Sequence, residues 1–285
     1  MDTSSPSFHP VGSDRVTAST GRAIAWMDGR VVPASEATVP LTDDGFLRGD
    51  AVFEGVMVRT GRTHDLGGHL ARMDRSATAL DLELPEDTLR QAALDLVAAW
   101  GERDGAMKLI VTRGGTVRGM VEAMAWPETL ALAVIEMPWR NVLSGTKTLS
   151  YAVNQWAVRQ ARSLGADDAL IVEDGVLMEL PTGSICLVTD GQIRTPDPQQ
   201  LPVLDSVTIH WLSRVTEVER TVLTLEDLAR CDEAFVISAT RAGLPVATIY
   251  ETDGRQRQLA APGPVTAEAT RELRDHIDAT LDAHR

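Results

Sequence analysis

The chain has 285 residues, 44% hydrophobic and 24% charged, an ordinary globular composition with enough residues for one large domain or two of moderate size. Its formal charge of −14 repels phosphate backbones and argues against a nucleic-acid partner. No apolar run approaches the roughly 20 residues that cross a bilayer, and Cys186 and Cys231, far apart and without metal-ligand spacing, read as buried reduced thiols.

Residues 1–20 are polar and rich in Ser and Thr, without an apolar signal segment, and read as a flexible leader on a cytoplasmic protein. Alternating apolar positions in AIAWMDGRVVP predict a hairpin turning at Asp28-Gly29, and AVFEGVMVRTGRTHDL predicts another near Gly61. Leu70, Met73, Ala77 and Leu80 fall on one face of a helix. Pro85 opens a second helix with acids in its first turn, and strands MKLIVTRG and TLALAVIEM follow. PWRNVLSGT, residues 138–146, has few periodic features and reads as a linker between a small N-terminal domain, 21–137, and a larger C-terminal one, 147–285. Beyond it, YAVNQWAVRQARSLG predicts a helix stopped at Gly165. Two hairpins turn at Asp174-Gly175 and Asp190-Gly191. DSVTIHWLSRVTEV predicts a helix capped by Asp205 and Ser206, EAFVISA and LPVATIY predict strands, and PVTAEATRELRDHIDATLDAHR a closing helix. The fold class is α/β (α+β), two lobes with antiparallel-rich sheets meeting at a cleft, with no internal repeat and no metal-ligand cluster.

Of the 27 basic residues only Lys108 and Lys147 are lysine. Arginine serves wherever a surface cation is wanted, but only lysine can lose its proton and attack a carbonyl as a primary amine. Lys108 sits in an alternating strand, where a long cation can simply snorkel. Lys147 sits in SGTKTLSY, between an apolar strand and a helix, a plausible approach to a cleft. It is the stronger candidate for amine chemistry.

From about residue 24 to 275 the chain carries DDGFLRGDAVFEG, HLARMDRSA, KTLSYAV, ARSLGADDALIVEDGVLME, RTPDPQQLPVLDSVT and DEAFVISAT in order. In these segments it resembles the fold-type IV pyridoxal-phosphate enzymes, which include aminodeoxychorismate lyase and the D-amino-acid and branched-chain aminotransferases. The resemblance implies pyridoxal 5′-phosphate as cofactor, with Lys147 as its Schiff-base lysine and proton shuttle. Arg72 matches the family's phosphate arginine. Ser206, Val207 and Thr208 match its phosphate loop, and Thr240 resembles a further hydroxyl contact. Glu179 matches the glutamate that keeps the pyridine nitrogen protonated, and Tyr151 stands where a ring-hydroxyl partner would be. A homodimer and a small amine or amino-acid substrate follow from the same resemblance.

Departures gather where substrate is expected. Arg48 stands where an aromatic residue is common, Leu180-Pro181-Thr182 where small residues are usual, Ser184 in place of Asn and Ser206 in place of Gly. Arg118 in TRGGTVRGM is the candidate for a substrate carboxylate. Met120 and Phe53 replace the His and Tyr of D-amino-acid aminotransferases. The resemblance is nearest to aminodeoxychorismate lyase, an elimination that releases pyruvate and an aromatic amine. An aminotransferase using the same residues is the alternative, and a cofactor-binding homologue without turnover is a third reading.

Overall fold

A computed structural model describes residues 23–283; the leader at 1–20 lies outside them. In the N-terminal part, strands β1 (Ile24–Met27), β2 (Arg30–Pro33), β3 (Ala51–Arg59), β4 (Arg62–Thr63), β5 (Gly105–Thr112) and β6 (Val117–Glu122) form one sheet in the order β2-β1-β6-β5-β3-β4. Helices α1 (Asp44–Arg48), α2 (Leu66–Ala79) and α3 (Glu86–Trp100) accompany it. The two predicted hairpins are present, with Asp28 and Thr60 at positive φ followed by Gly29 and Gly61, as tight turns require. Apolar residues of α2 and α3, among them Leu70, Met73, Leu89, Leu96 and Trp100, pack with Val52, Val56, Met107 and Leu109 of the sheet in one core. The opposite face of β3 is free of this core and points Phe53 and Gly55 toward the rest of the molecule.

The second sheet contains β7 (Leu130–Glu136), β8 (Asp168–Glu173), β9 (Val176–Leu177), β10 (Ser184–Thr189), β11 (Gln192–Pro196), β12 (Val218–Thr221), β13 (Glu233–Ile237), β14 (Leu244–Tyr250) and β15 (Gln256–Gln258). Its path is β12-β11-β10-β13-β14-β7-β8-β9, with β15 beside β14. Leu132, Leu170, Leu187, Val236 and Ile249 come from five different strands yet share one cluster, so the sheet curls around them. Its other face is covered by α4 (Ala152–Ser163), α5 (Val207–Leu212) and α7 (Pro264–Ala279), while α6 (Leu225–Arg230) closes the cluster inside. Burial on both faces explains the continuous apolar runs ALIV and AFVI.

The structure departs from the sequence reading in three places. The helix expected over 205–218 stops at Leu212, and Val218–Thr221 instead pairs in parallel with β11, whose free edge is a better partner for that segment than another helical turn. The closing helix ends at Ala279; the residues after it return to the N-terminal part, where Asp282 accepts from Thr63 Oγ1 at 2.7 Å and Leu66 N at 3.0 Å. Finally, β7 lies on the N-terminal side of residue 137 in sequence but is hydrogen-bonded between β14 and β8 of the second sheet.

Gly243, before β14, has φ +97°, and a Cβ there would overlap the side chain of Thr270 on α7. Thr270 is buried and its hydroxyl donates to Thr266 O at 2.7 Å, so it has little room to yield. Gly243→Ala is expected to cost about 2–3 kcal/mol by combined backbone strain and overpacking, read as a lowered urea midpoint at unchanged m-value.

Candidate active site

Between the two sheets lies a cavity of about 530 Å³. Phe53 and Gly55 of β3 and Arg72 of α2 enter from one side, and Lys147, Tyr151, Glu179, Ser206, Thr208 and Thr240 from the other. The segment expected to be a passive linker forms much of the wall. Trp139 and Arg140 donate their amides to Glu173 Oε1 at 2.7 and 3.0 Å, and Asn141 Oδ1 and Ser144 Oγ close a tight turn with the amides of Leu143 and Asn141.

Lys147 is fixed through its backbone. Its carbonyl accepts from Phe53 N at 3.1 Å and its amide donates to Ser76 Oγ at 3.1 Å, tying it to β3 and α2 at once. Its Nζ lies 4.4 Å from the centre of the Phe53 ring. The residue is partly buried as a whole, its amine is deeply placed, and burial, aided by Arg72, pushes it down to about 8 against the pull of Glu54 and Glu179. A substantial uncharged fraction near neutral pH is what a nucleophilic amine needs.

Arg72 is held by a residue that sequence reasoning did not assign. Its Nε and Nη2 donate to Glu54 at 2.7 and 2.8 Å, a bidentate pair, and His69 Nδ1 lies 2.9 Å from the same carboxylate. Burial alone would raise Glu54, but Arg72 and His69 outweigh it and hold the carboxyl well below the usual range. Only Nη1 is left, with a long 3.4 Å bond to Asp205 O, next to the start of α5. The signal was visible in sequence as an acid inside the apolar strand AVFEGVMV; the partner was not.

Ser206 caps α5 through its hydroxyl, which accepts from Ile209 N at 3.4 Å. Val207 buries its side chain in the core and contributes only its backbone amide to that first turn, where no preceding helical carbonyl can accept it. Thr208 is buried beside it. Glu179 receives Leu204 N at 3.3 Å on each oxygen and has no cation in hydrogen-bond contact, so burial pushes its carboxyl up to about 7. Tyr151 packs edge-on to Phe53, centroids 5.4 Å apart, and donates its hydroxyl to Pro181 O at 2.7 Å. Beneath Thr182, buried Arg241 stands 3.7 Å from Asp168 and over the Trp126 ring.

Three of the four substrate candidates are not among the residues that line the cavity. Arg118, on β6, donates to Thr38 O at 2.8 Å and Asp28 Oδ1 at 3.0 Å; Met120 is two residues on; Arg48 is exposed at the end of α1, paired with Asp44. Only Phe53 lines the cavity. The described residues fit pyridoxal phosphate on chemical grounds. An under-bonded buried acid suits a protonated ring nitrogen, an arginine with one uncommitted arm and first-turn hydroxyls and amides suit a phosphate, and an unpartnered amine suits an aldehyde.

Known proteins agree with that fit. The amino-transferase class IV family model matches residues 51–249. The chain is 27% identical over 276 residues to a D-alanine aminotransferase of Bacillus licheniformis, covering 88% of this chain and 95% of that one. It is 28% identical over 302 residues to a bifunctional aminodeoxychorismate lyase / D-amino acid transaminase of Mycobacterium tuberculosis, covering 92% and 100%. Among solved structures, a hypothetical aminotransferase from Mycobacterium tuberculosis with alpha-ketoglutarate and PMP bound superposes with a TM-score of 0.81 at 26% identity, covering 90% of this chain and 99% of that one.

Proposed function

Because the chain belongs to the class IV aminotransferases, which depend on pyridoxal phosphate, we propose that it moves an amino group from an amino acid to a 2-oxo acid. The observation that carries this reading is the convergence of Lys147, Glu179 and Arg72 on one cavity. Bound pyridoxal phosphate supplies an aldehyde for the substrate amine and a ring that takes up the charge of the deprotonated substrate carbon. Arg72, Ser206, Thr208, Thr240 and the amide of Val207 would hold its phosphate, and Glu179 would face its ring nitrogen. The Lys147 amine takes a proton at Nζ from the substrate carbon and returns it to a neighbouring position. Glu179, already poorly satisfied where it sits, would be stabilised as a carboxylate by the protonated ring nitrogen it is placed to hold. Tyr151 and Phe53 wall one side and keep water from the amine.

Transamination is preferred to the lyase reaction that the sequence reading put first. Relatives named as transaminases support it, and the bifunctional relative keeps the lyase as a second reading, since both reactions draw on the same amine and the same acid. A homodimer fits the exposed Leu41, Phe46 and Leu47 around α1, 74%, 63% and 53% accessible. Among the described residues no helix is long and apolar enough to cross a membrane.

The test is a donor panel. Purified protein with added pyridoxal phosphate should show a visible band that bleaches with a D- or branched-chain amino acid and returns with a 2-oxo acid. A band that persists with every amino donor, together with pyruvate release from aminodeoxychorismate, would move the assignment to the lyase.

A further inference from the structure

The sequence has two lysines, and the fold brings both to one aromatic ring. Lys108, on β5, is exposed and stands opposite Gly55 of β3 and Met120 of β6. Its Nζ lies 5.5 Å from the Phe53 ring centre, against 4.4 Å for Lys147, which puts the two amines within about 10 Å of each other. Gly55, paired with Lys108 in the sheet, adds no side chain on that face, and a Cβ built there would meet nothing within 4 Å. Among the described residues Lys108 makes no ion pair, in a chain whose net charge is −14 and whose two cavity-lining arginines, Arg72 and Arg140, are both paired.

We propose that Lys108 is the electrostatic partner of Lys147: its unpaired, exposed charge beside the same Phe53 ring disfavours charge on the inner amine and keeps that amine ready to attack. The proposal rests on Lys147 being the cofactor lysine. It makes Lys108 a positioning residue that acts through Lys147.

Every charged group facing Lys147 enters the balance. Burial comes first, Arg72 from α2 and Lys108 from β5 oppose a proton on the amine, and Glu54 from β3 and Glu179 beyond β9 favour one. Arg72 has the larger direct effect, yet its charge is spent on the bidentate Glu54 pair and faces the phosphate site. Lys108 contributes less, but no described carboxylate offsets it. At this distance, and with solvent on one side, the expected influence is about half a pH unit in the Lys147 midpoint.

With only two lysines the measurement is direct. Reductive methylation with ¹³C-formaldehyde of the full chain, freed of cofactor by dialysis against a carbonyl-trapping reagent such as hydroxylamine and then against buffer, gives two lysine signals beside that of the α-amine, and each titrates separately by NMR. Lys108→Gln should raise the Lys147 midpoint from about 8 by about half a pH unit at low salt. Lys108→Arg should restore the wild-type value, and added salt should narrow the gap because Lys108 is solvated. An unchanged Lys147 midpoint in Lys108→Gln, or a rise in Lys108→Arg equal to that in Lys108→Gln, overturns the proposal. Failure of the wild-type chain to form the visible band with pyridoxal phosphate overturns the cofactor reading instead, and the NMR midpoints judge the coupling regardless.

Discussion

Lys147→Ala should lose at least about 10⁴-fold in kcat, because one substitution removes both the amine that binds the carbonyl and the base that moves the proton. Its second signature is chemical. In the wild type, borohydride should fix the cofactor to the chain and add its mass to the peptide containing Lys147; in the variant no peptide should gain that mass. Lys147→Arg should fail equally, since a guanidinium keeps the charge and loses the nucleophile. The variant should still fold, because what holds this segment in place is the Lys147 carbonyl and amide, bonded to Phe53 and Ser76, and not its side chain. Reduced cofactor found on Lys108, the only other lysine, would sink the assignment.

Much of this site was legible in the sequence for particular reasons. Lys147 stood out because lysine is scarce here and because its neighbours are small. The 3.6-residue spacing of Leu70, Met73 and Ala77 gave α2, and α2 placed Arg72 against the cavity. The turns at Asp174-Gly175 and Asp190-Gly191 gave the hairpins that lead into and out of the Glu179 segment. Pairings across long sequence separations were not legible. Glu54 meets Arg72 18 residues away and across a packing interface. Arg118 is committed to Asp28, 90 residues away, and no local pattern announces that contact. The stretch from Ser213 to Val218 reads as a continuation of the helix, but the open edge of β11 takes the chain from Val218 onward as a strand. Lys108 was read as a snorkelling cation because nothing in MKLIVTRG reveals that Phe53 lies beside it.

The same buried pairing sets the second large effect. Glu54→Gln is expected to lower stability by about 3–5 kcal/mol, since it removes the bidentate counter-charge of the buried Arg72. The pH dependence follows from the direction of the Glu54 shift. Its folded carboxyl is held below the ordinary value of 4.5, so the stabilisation is complete above that value and is lost as pH falls through the lower folded one. Wild type and variant should therefore differ by a constant amount in urea melts from about pH 8 to 5, and converge only in stronger acid. Pyridoxal phosphate adds a discriminating measurement. Its phosphate offers Arg72 a new anion, so saturating cofactor should stabilise the glutamine variant by more than it stabilises the wild type. Equal stabilisation of the two would mean that Arg72 does not reach the phosphate and that the Glu54 pair serves the N-terminal core alone.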